Sequence, residues 1–182
     1  RISYQPWYFL FADPSVKPQP IETLPLTRYF PDPAGILSAR TGWQEGSNSP
    51  AVVAQMKISP WMFNNHQHLD AGHFQLWYKG ILASDSGIYQ GTEGGYGCAH
   101  DVNYHKRSIA HNVLLVHDPE EAFTWSGKPV ANDGGQRWPN QNGEPVTLGM
   151  LKDPALGYRR NRVLAHEAGP DAREPLFSHL AG

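Results

Sequence analysis

The sequence predicts a mainly β protein, an antiparallel β-sandwich of short strands, and three observations carry that prediction. Gly (18) and Pro (16) together exceed a sixth of the 182 residues and punctuate short apolar runs, the texture of strands joined by turns. Several of those runs alternate apolar and polar residues, the period of two that a half-buried strand requires. No apolar pattern at helical spacing extends beyond about three turns.

The elements follow in order. Residues 1–12, with Tyr4, Trp7, Tyr8, Phe9, Leu10 and Phe11, read as the last turns of a helix or as a buried strand. Asp13-Pro14 ends that segment, and Lys17-Pro-Gln-Pro20 reads as an extended linker, because proline holds its neighbours out of the helical region. A boundary therefore falls between residues 1–20 and a sandwich domain over 21–182. Within the latter, Leu26–Phe30 and Ile36–Arg40 are expected strands separated by Pro31-Asp-Pro33, and Ala51–Ile58 is another. His73–Lys79 sets Phe74, Leu76 and Tyr78 against His73, Gln75 and Trp77, and Gly80 breaks it from a further strand at Ile81–Asp85. Ala110–His117 is a continuous apolar run, as expected of a strand buried on both faces. Residues 127–149 are loop-rich, and Tyr158–His166 is the last expected strand.

Composition excludes several partners. A hydrophobic share of 40% is enough for a core, and a net charge of −2 supplies no field that would draw nucleic acid. The single cysteine, Cys98, allows no internal disulfide. No apolar run approaches the roughly 20 residues of a membrane span. The chain opens at Arg1 without an initiator methionine and closes at Leu180-Ala181-Gly182. It reads as an internal piece of a longer protein, with the sandwich cut at its C-terminal end and targeting information expected elsewhere.

The chemistry concentrates between His66 and His117, which hold seven of the nine histidines, interleaved with Asp70, Asp85 and Asp101. Imidazole and carboxylate are zinc ligands and also general acids and bases near neutral pH. His66, His68 and Asp70 share one face of an extended chain. Asp85 ends one apolar strand and His111 opens another, and a carboxylate at the end of a buried strand needs a partner. Imidazoles from two strands and a carboxylate from a third would make a three-ligand zinc site. A hydrogen-bonded His–Asp pair bracing a corner of the sandwich explains the same residues equally well. Tyr89, Tyr96 and Tyr104 with Lys106 and Arg107 flank the histidines. Rings that stack on a pyranose and cations that pair with its anionic groups suit a sulfated or carboxylated sugar. The segment Gly91–Gly97 reads as a loop over an open cleft, without the spacing of a phosphate-binding loop.

The run Asn65-His66-Gln67-His68-Leu69-Asp70-Ala71-Gly72-His73-Phe74, then Ala83-Ser-Asp85-Ser-Gly87-Ile-Tyr89, then Ala110-His111-Asn112, resembles the heparinase II/III family of polysaccharide lyases. The longer stretch Asn103-Tyr-His-Lys-Arg-Ser-Ile-Ala-His-Asn112 and Asp118-Pro-Glu-Glu121 are most similar to its heparinase II branch. The resemblance implies an N-terminal α/α toroid followed by a β-sandwich, with residues 1–20 as the tail of the toroid. It implies β-elimination of uronic-acid glycosaminoglycans such as heparin and heparan sulfate, in a periplasmic or secreted enzyme. His66 matches the active-site histidine of the sandwich domain. His68, Asp85 and His111 match the zinc ligands, and Tyr96 and Arg107 are expected substrate contacts. The remaining catalytic groups would lie on the toroid, so the piece alone is expected to be inactive and incompletely folded. The full-length enzyme could pair as a homodimer. Alginate or another uronate polymer is the alternative substrate, and a non-catalytic carbohydrate-binding sandwich is the alternative of a different class.

Overall fold

Five antiparallel strands form the main sheet, side by side in the order in which the chain makes them. The computed structural model describes residues 10–63, 66–87, 94–139, 144–167 and 179–181. Strands β1 (Thr27–Phe30), β2 (Ile36–Arg40), β3 (Val52–Lys57), β4 (Phe74–Tyr78) and β5 (Ile81–Ala83) fall within the runs expected to form them. Register is carried by pairs such as Tyr29 with Leu37, Leu37 with Met56, and Ala54 with Leu76. Between β4 and β5 the register shifts at Leu76/Trp77, an irregularity that re-aims the chain just before Asp85.

Two further hairpins complete the described β structure. β6 (Phe123–Trp125) pairs with β7 (Lys128–Val130) across Ser126-Gly127, both at positive φ, 48° and 74°. That backbone matches the twist of a two-residue hairpin. β8 (Ala165–Glu167) pairs with β9 (His179–Ala181). One short helix, α1 (Leu148–Lys152), is capped by Thr147, whose side chain accepts the Met150 N–H. The architecture is thus mainly antiparallel sheet, a partial β-sandwich.

Two small apolar centres hold it. Leu37 and Ile58 are buried with Tyr29, Met56 and Val163 packed on them, and Met62, Leu69 and Trp138 are buried against Trp125. The second centre adjoins the histidine cluster through Leu69, which follows His68.

Three expectations differ from what is found. Ala110–His117 is not a strand: Leu114 is 91% and Val116 78% exposed, and its backbone bonds to distant segments among the described residues are the separate pair Ser86 N–H to Ala110 O and Val116 N–H to Gly134 O, which form no ladder. Apolar composition makes a strand only where neighbours supply a ladder. Residues 66–70 form turns and bends rather than a strand start. Among the described residues, Tyr158–His166 pairs through the isolated Trp61–Arg159 bridge before β8 begins. Of residues 1–12, Leu10 and Phe11 are described, helical and exposed, and residues 1–9 lie outside the described set.

Candidate metal centre and adjoining cleft

Four segments converge on one cluster, and backbone bonds fix each of them. His73 stands at the edge of β4, where Lys57 N–H donates to its carbonyl (3.0 Å) and its own N–H donates to Asp70 O (2.9 Å). Asp70 is buried and meets Lys57 Nζ at 2.5 Å. Leu69 N–H donates to Lys106 O (2.8 Å), which holds His68 against the π-helical turn Asp101–His105. Ser86 N–H donates to Ala110 O (2.8 Å) and so sets Asp85 beside His111. Asn112 clamps the arrangement: its Nδ2 donates to Phe74 O (3.0 Å) and Ser84 O (3.3 Å), tying the ends of β4 and β5 to His111.

The side chains then meet in a chain of contacts. His111 Nδ1 lies 2.8 Å from Asp85 Oδ1, and His111 Nε2 lies 3.3 Å from His68 Nδ1. His73 Nε2 lies 3.0 Å from Asp85 Oδ1, without the alignment of a hydrogen bond. His105 packs edge-on against His68 with ring centroids 4.8 Å apart. Burial, with the charges of His111 and His105, pushes the His68 imidazole down to about 4. Burial also lowers the His73 pKa, against the pull of Asp85. For Asp85, burial works upward, but the hydrogen bond from His111 and the histidine charges outweigh it and hold the carboxyl below its usual value. At neutral pH the cluster therefore presents an uncharged His68 and His73 with an ionised Asp85, the protonation states that metal binding requires.

Geometry alone gathers His73, Asp85 and His111 as a group able to hold a cation, with all three ligand atoms within 4.8 Å of one another. Tautomer chemistry separates the histidines. Asn112 N–H donates to His73 Nδ1 at 3.0 Å, so Nδ1 offers its lone pair there and a neutral His73 carries its proton on Nε2. Ligation through Nε2 would need an imidazolate. His68 Nδ1 and His111 Nε2 face each other, and with His111 Nδ1 donating to Asp85, a neutral His111 accepts at Nε2 from His68 Nδ1. Asp85 Oδ1 meets the Nδ1 edge of the His111 ring, opposite the Nε2 that faces His68, so the ligand atoms that lie together are those of His73, Asp85 and His111. His73 and Asn112 are the members that the sequence reading did not select. The signal for Asn112 was its place directly after His111.

His66, two residues from His68, has φ of 53°. This left-handed turn sends its ring away from the cluster and beside Tyr96, centroids 4.8 Å apart. Tyr96 is half exposed, with Lys106 Nζ 3.7 Å from its ring centroid. Lys106 and Asp101 are both buried and pair at 3.3 Å, and Gly97 N–H donates to Asp101 at 2.7 Å. Arg107, expected to contact substrate, is instead fully buried. Its guanidinium pairs with Asp133 and lies 4.6 Å from the Phe123 ring centroid, so it braces the interior. Tyr89 and residues 91–93 of the expected cleft loop lie outside the described residues.

Beside the cluster runs a cleft of about 220 Å³ whose lining includes His68, Trp61, Met62, Leu69, Arg137 and Arg160. No described helix is long and apolar enough to cross a membrane. No curated protein matches the chain. The family described as heparinase II/III-like, C-terminal, matches residues 32–167, a span that contains every residue of the cluster. The chain belongs to the heparinase II/III-like family, through the C-terminal domain of that family.

Proposed function

We propose that the chain is the sandwich portion of a polysaccharide lyase that cleaves uronic-acid glycosaminoglycans of the heparin and heparan sulfate type by β-elimination. Zinc is held by His68, Asp85 and His111, in a periplasmic or secreted enzyme. The observation that carries this reading is the cluster in which the His111 ring lies between His68 and Asp85, inside a family match that spans all three. When bound, the ion supplies a fixed positive charge that draws the segments after β3, after β5 and before Asn112 into one wall.

The other roles belong to side chains of the chain itself. Elimination needs the sugar carboxylate neutralised, the proton beside it removed and the leaving oxygen protonated. His66 is exposed and free of the metal cluster, and its ring can carry a proton or a charge toward substrate. Tyr96, stacked beside it, offers a ring and a hydroxyl to the sugar. Lys106 lies behind Tyr96, paired with Asp101, and keeps that ring in place. Asp85 and His111 organise the wall rather than meet substrate.

The test is product formation. The domain, joined to the helical domain that the resemblance implies, is incubated with heparan sulfate and, separately, alginate. The ultraviolet absorbance of the unsaturated uronate is followed. Product from heparan sulfate that falls steeply in a His66→Ala protein supports the reading. Product from alginate alone would move the substrate to the other uronate polymer, and no product from either would reduce the chain to a binding sandwich.

A further inference from the structure

We propose that the cleft bounded by Trp61, Arg137 and Arg160 is an anion subsite that takes one charged sugar unit through its sulfate or carboxylate group. That the ligand is a sugar rests on the lyase reading, whereas the anion preference rests on the cleft itself.

Four observations converge. The cleft is built, not incidental: Met62 N–H donates to Tyr158 O (2.8 Å) and Arg160 N–H to Pro60 O (2.9 Å), so the two walls are stitched by backbone bonds. Its amides are committed to that frame. Gln136 exchanges bonds with both backbone groups of Ala71 (3.0 and 2.7 Å), and Asn161 Nδ2 donates to Ser59 O (3.2 Å). Cations are left over. Arg137 is held by Glu121, with Nε at 2.6 Å, and its guanidinium lies 5.6 Å from the Phe123 ring centroid, which leaves Nη1 uncommitted among the described residues. The guanidinium of Arg160 has no hydrogen-bonding or acidic partner among the described residues. Glu121 thus answers Arg137 alone, and desolvation together with the charge of Arg137 lowers the pKa of Arg160. Two guanidiniums that line one cleft favour an anion between them, and arginine forks match sulfate and carboxylate geometry. Neighbouring cations differ in this respect: Arg159 already pairs with Asp32 at 2.9 Å.

Size and lining narrow the occupant. About 220 Å³ is below the roughly 300–1,000 Å³ of sites that enclose a whole drug-sized ligand. It suits one unit of a polymer that continues outside. Trp61, buried Met62 and buried Leu69 give an apolar face for a pyranose. His68, also in the lining, places that unit next to the histidine cluster.

The test is calorimetric titration of the protein with a heparan sulfate oligosaccharide of defined length, its desulfated form and its carboxyl-reduced form. Arg160→Gln and Arg160→Lys are titrated alongside, with circular dichroism to confirm the fold. Wild type should bind with an affinity that falls with salt. Arg160→Gln should bind about 10-fold or more weakly, the worth of a hydrogen bond to a charged group, and Arg160→Lys should recover part of the loss. Removing the recognised anionic group from the sugar should cost wild type a similar factor and cost Arg160→Gln little more. The derivative that produces this effect identifies sulfate or carboxylate. Equal affinity of wild type and Arg160→Gln for all three sugars overturns the proposal. With the helical domain joined, Arg160-dependent binding without cleavage would keep the subsite and remove the lyase; cleavage with a KM indifferent to Arg160→Gln would do the reverse.

Discussion

Replacing Arg107 with methionine should destabilise the protein by about 3 kcal/mol, and the structure supplies the reasoning. Arg107 is 0% exposed, and the Asp133 side chain that it pairs with is 3% exposed. Methionine keeps most of the stem but leaves a buried carboxylate without its cation, a change that typically costs about 3–5 kcal/mol. The lower end applies here because Asp133 still accepts the N–H groups of Gly135 (3.0 Å) and Ile109 (3.3 Å). Adding Asp133→Asn removes the orphaned charge while keeping an acceptor, so the double variant should recover about 1–2 kcal/mol of the loss. Urea unfolding of the four proteins, with unchanged slopes, measures both quantities. A single variant within about 0.5 kcal/mol of wild type, combined with a raised KM for polysaccharide, would refute this reasoning and return Arg107 to the substrate-contact role expected from the sequence.

Other outcomes follow from the same contacts. His66→Ala should cost activity by about 10²–10⁴-fold without changing zinc content; normal turnover would remove His66 from the mechanism. Gly135→Ala would place a Cβ 2.3 Å from Ser108 Cβ, where the Ser108 hydroxyl bridges Leu69 O (2.6 Å) and Gln136 N–H (2.9 Å). Overpacking of this kind costs about 1–3 kcal/mol, and an unshifted melting temperature would show that the segment yields freely. In zinc-free protein, acid should act through His68, whose pKa falls from about 6.5 when unfolded to about 4 when folded. A lowered histidine contributes stability that is complete above pH 6.5 and is lost as pH falls toward 4. Discounted for partial exposure of the ring, the loss is about 1–2 kcal/mol, and His68→Gln should flatten that pH profile of urea midpoints.

The main sheet was legible because its strands carry their own pattern. Phe74–Tyr78 alternates, Gly80 breaks it, and the strands pair in chain order, so local signals were enough. Residues 110–117 were misread because continuous apolar residues report burial only when a neighbouring ladder exists, and sequence does not reveal which neighbours arrive. The β6–β7 hairpin was readable from Ser126-Gly127, a two-residue turn that the sequence reading passed over. In the site, Asp85 and His111 were legible as polar ends of apolar runs. Arg107 was not, since a basic residue among histidines looks the same whether it faces a ligand or Asp133, and that carboxylate lies far along the chain. The separation of His66 from His68 depended on one left-handed residue, which no periodicity encodes. His73 was hidden for the opposite reason: it reads as the first residue of a strand, and its tautomer is set by the backbone of Asn112.

The zinc stoichiometry of four single variants tests the central claim most directly. Wild-type protein, His68→Ala, Asp85→Ala, His111→Ala and His73→Ala are purified identically and analysed for metal, with affinity measured against a competing chelator. The account predicts one zinc per wild-type chain and none retained by the His68, Asp85 and His111 variants. It predicts that His73→Ala keeps the ion but holds it about 10–100-fold more weakly, as expected of a residue that orients a ligand. Full zinc in His68→Ala together with none in His73→Ala would contradict the assignment and place the ion on the His73, Asp85 and His111 side of the cluster.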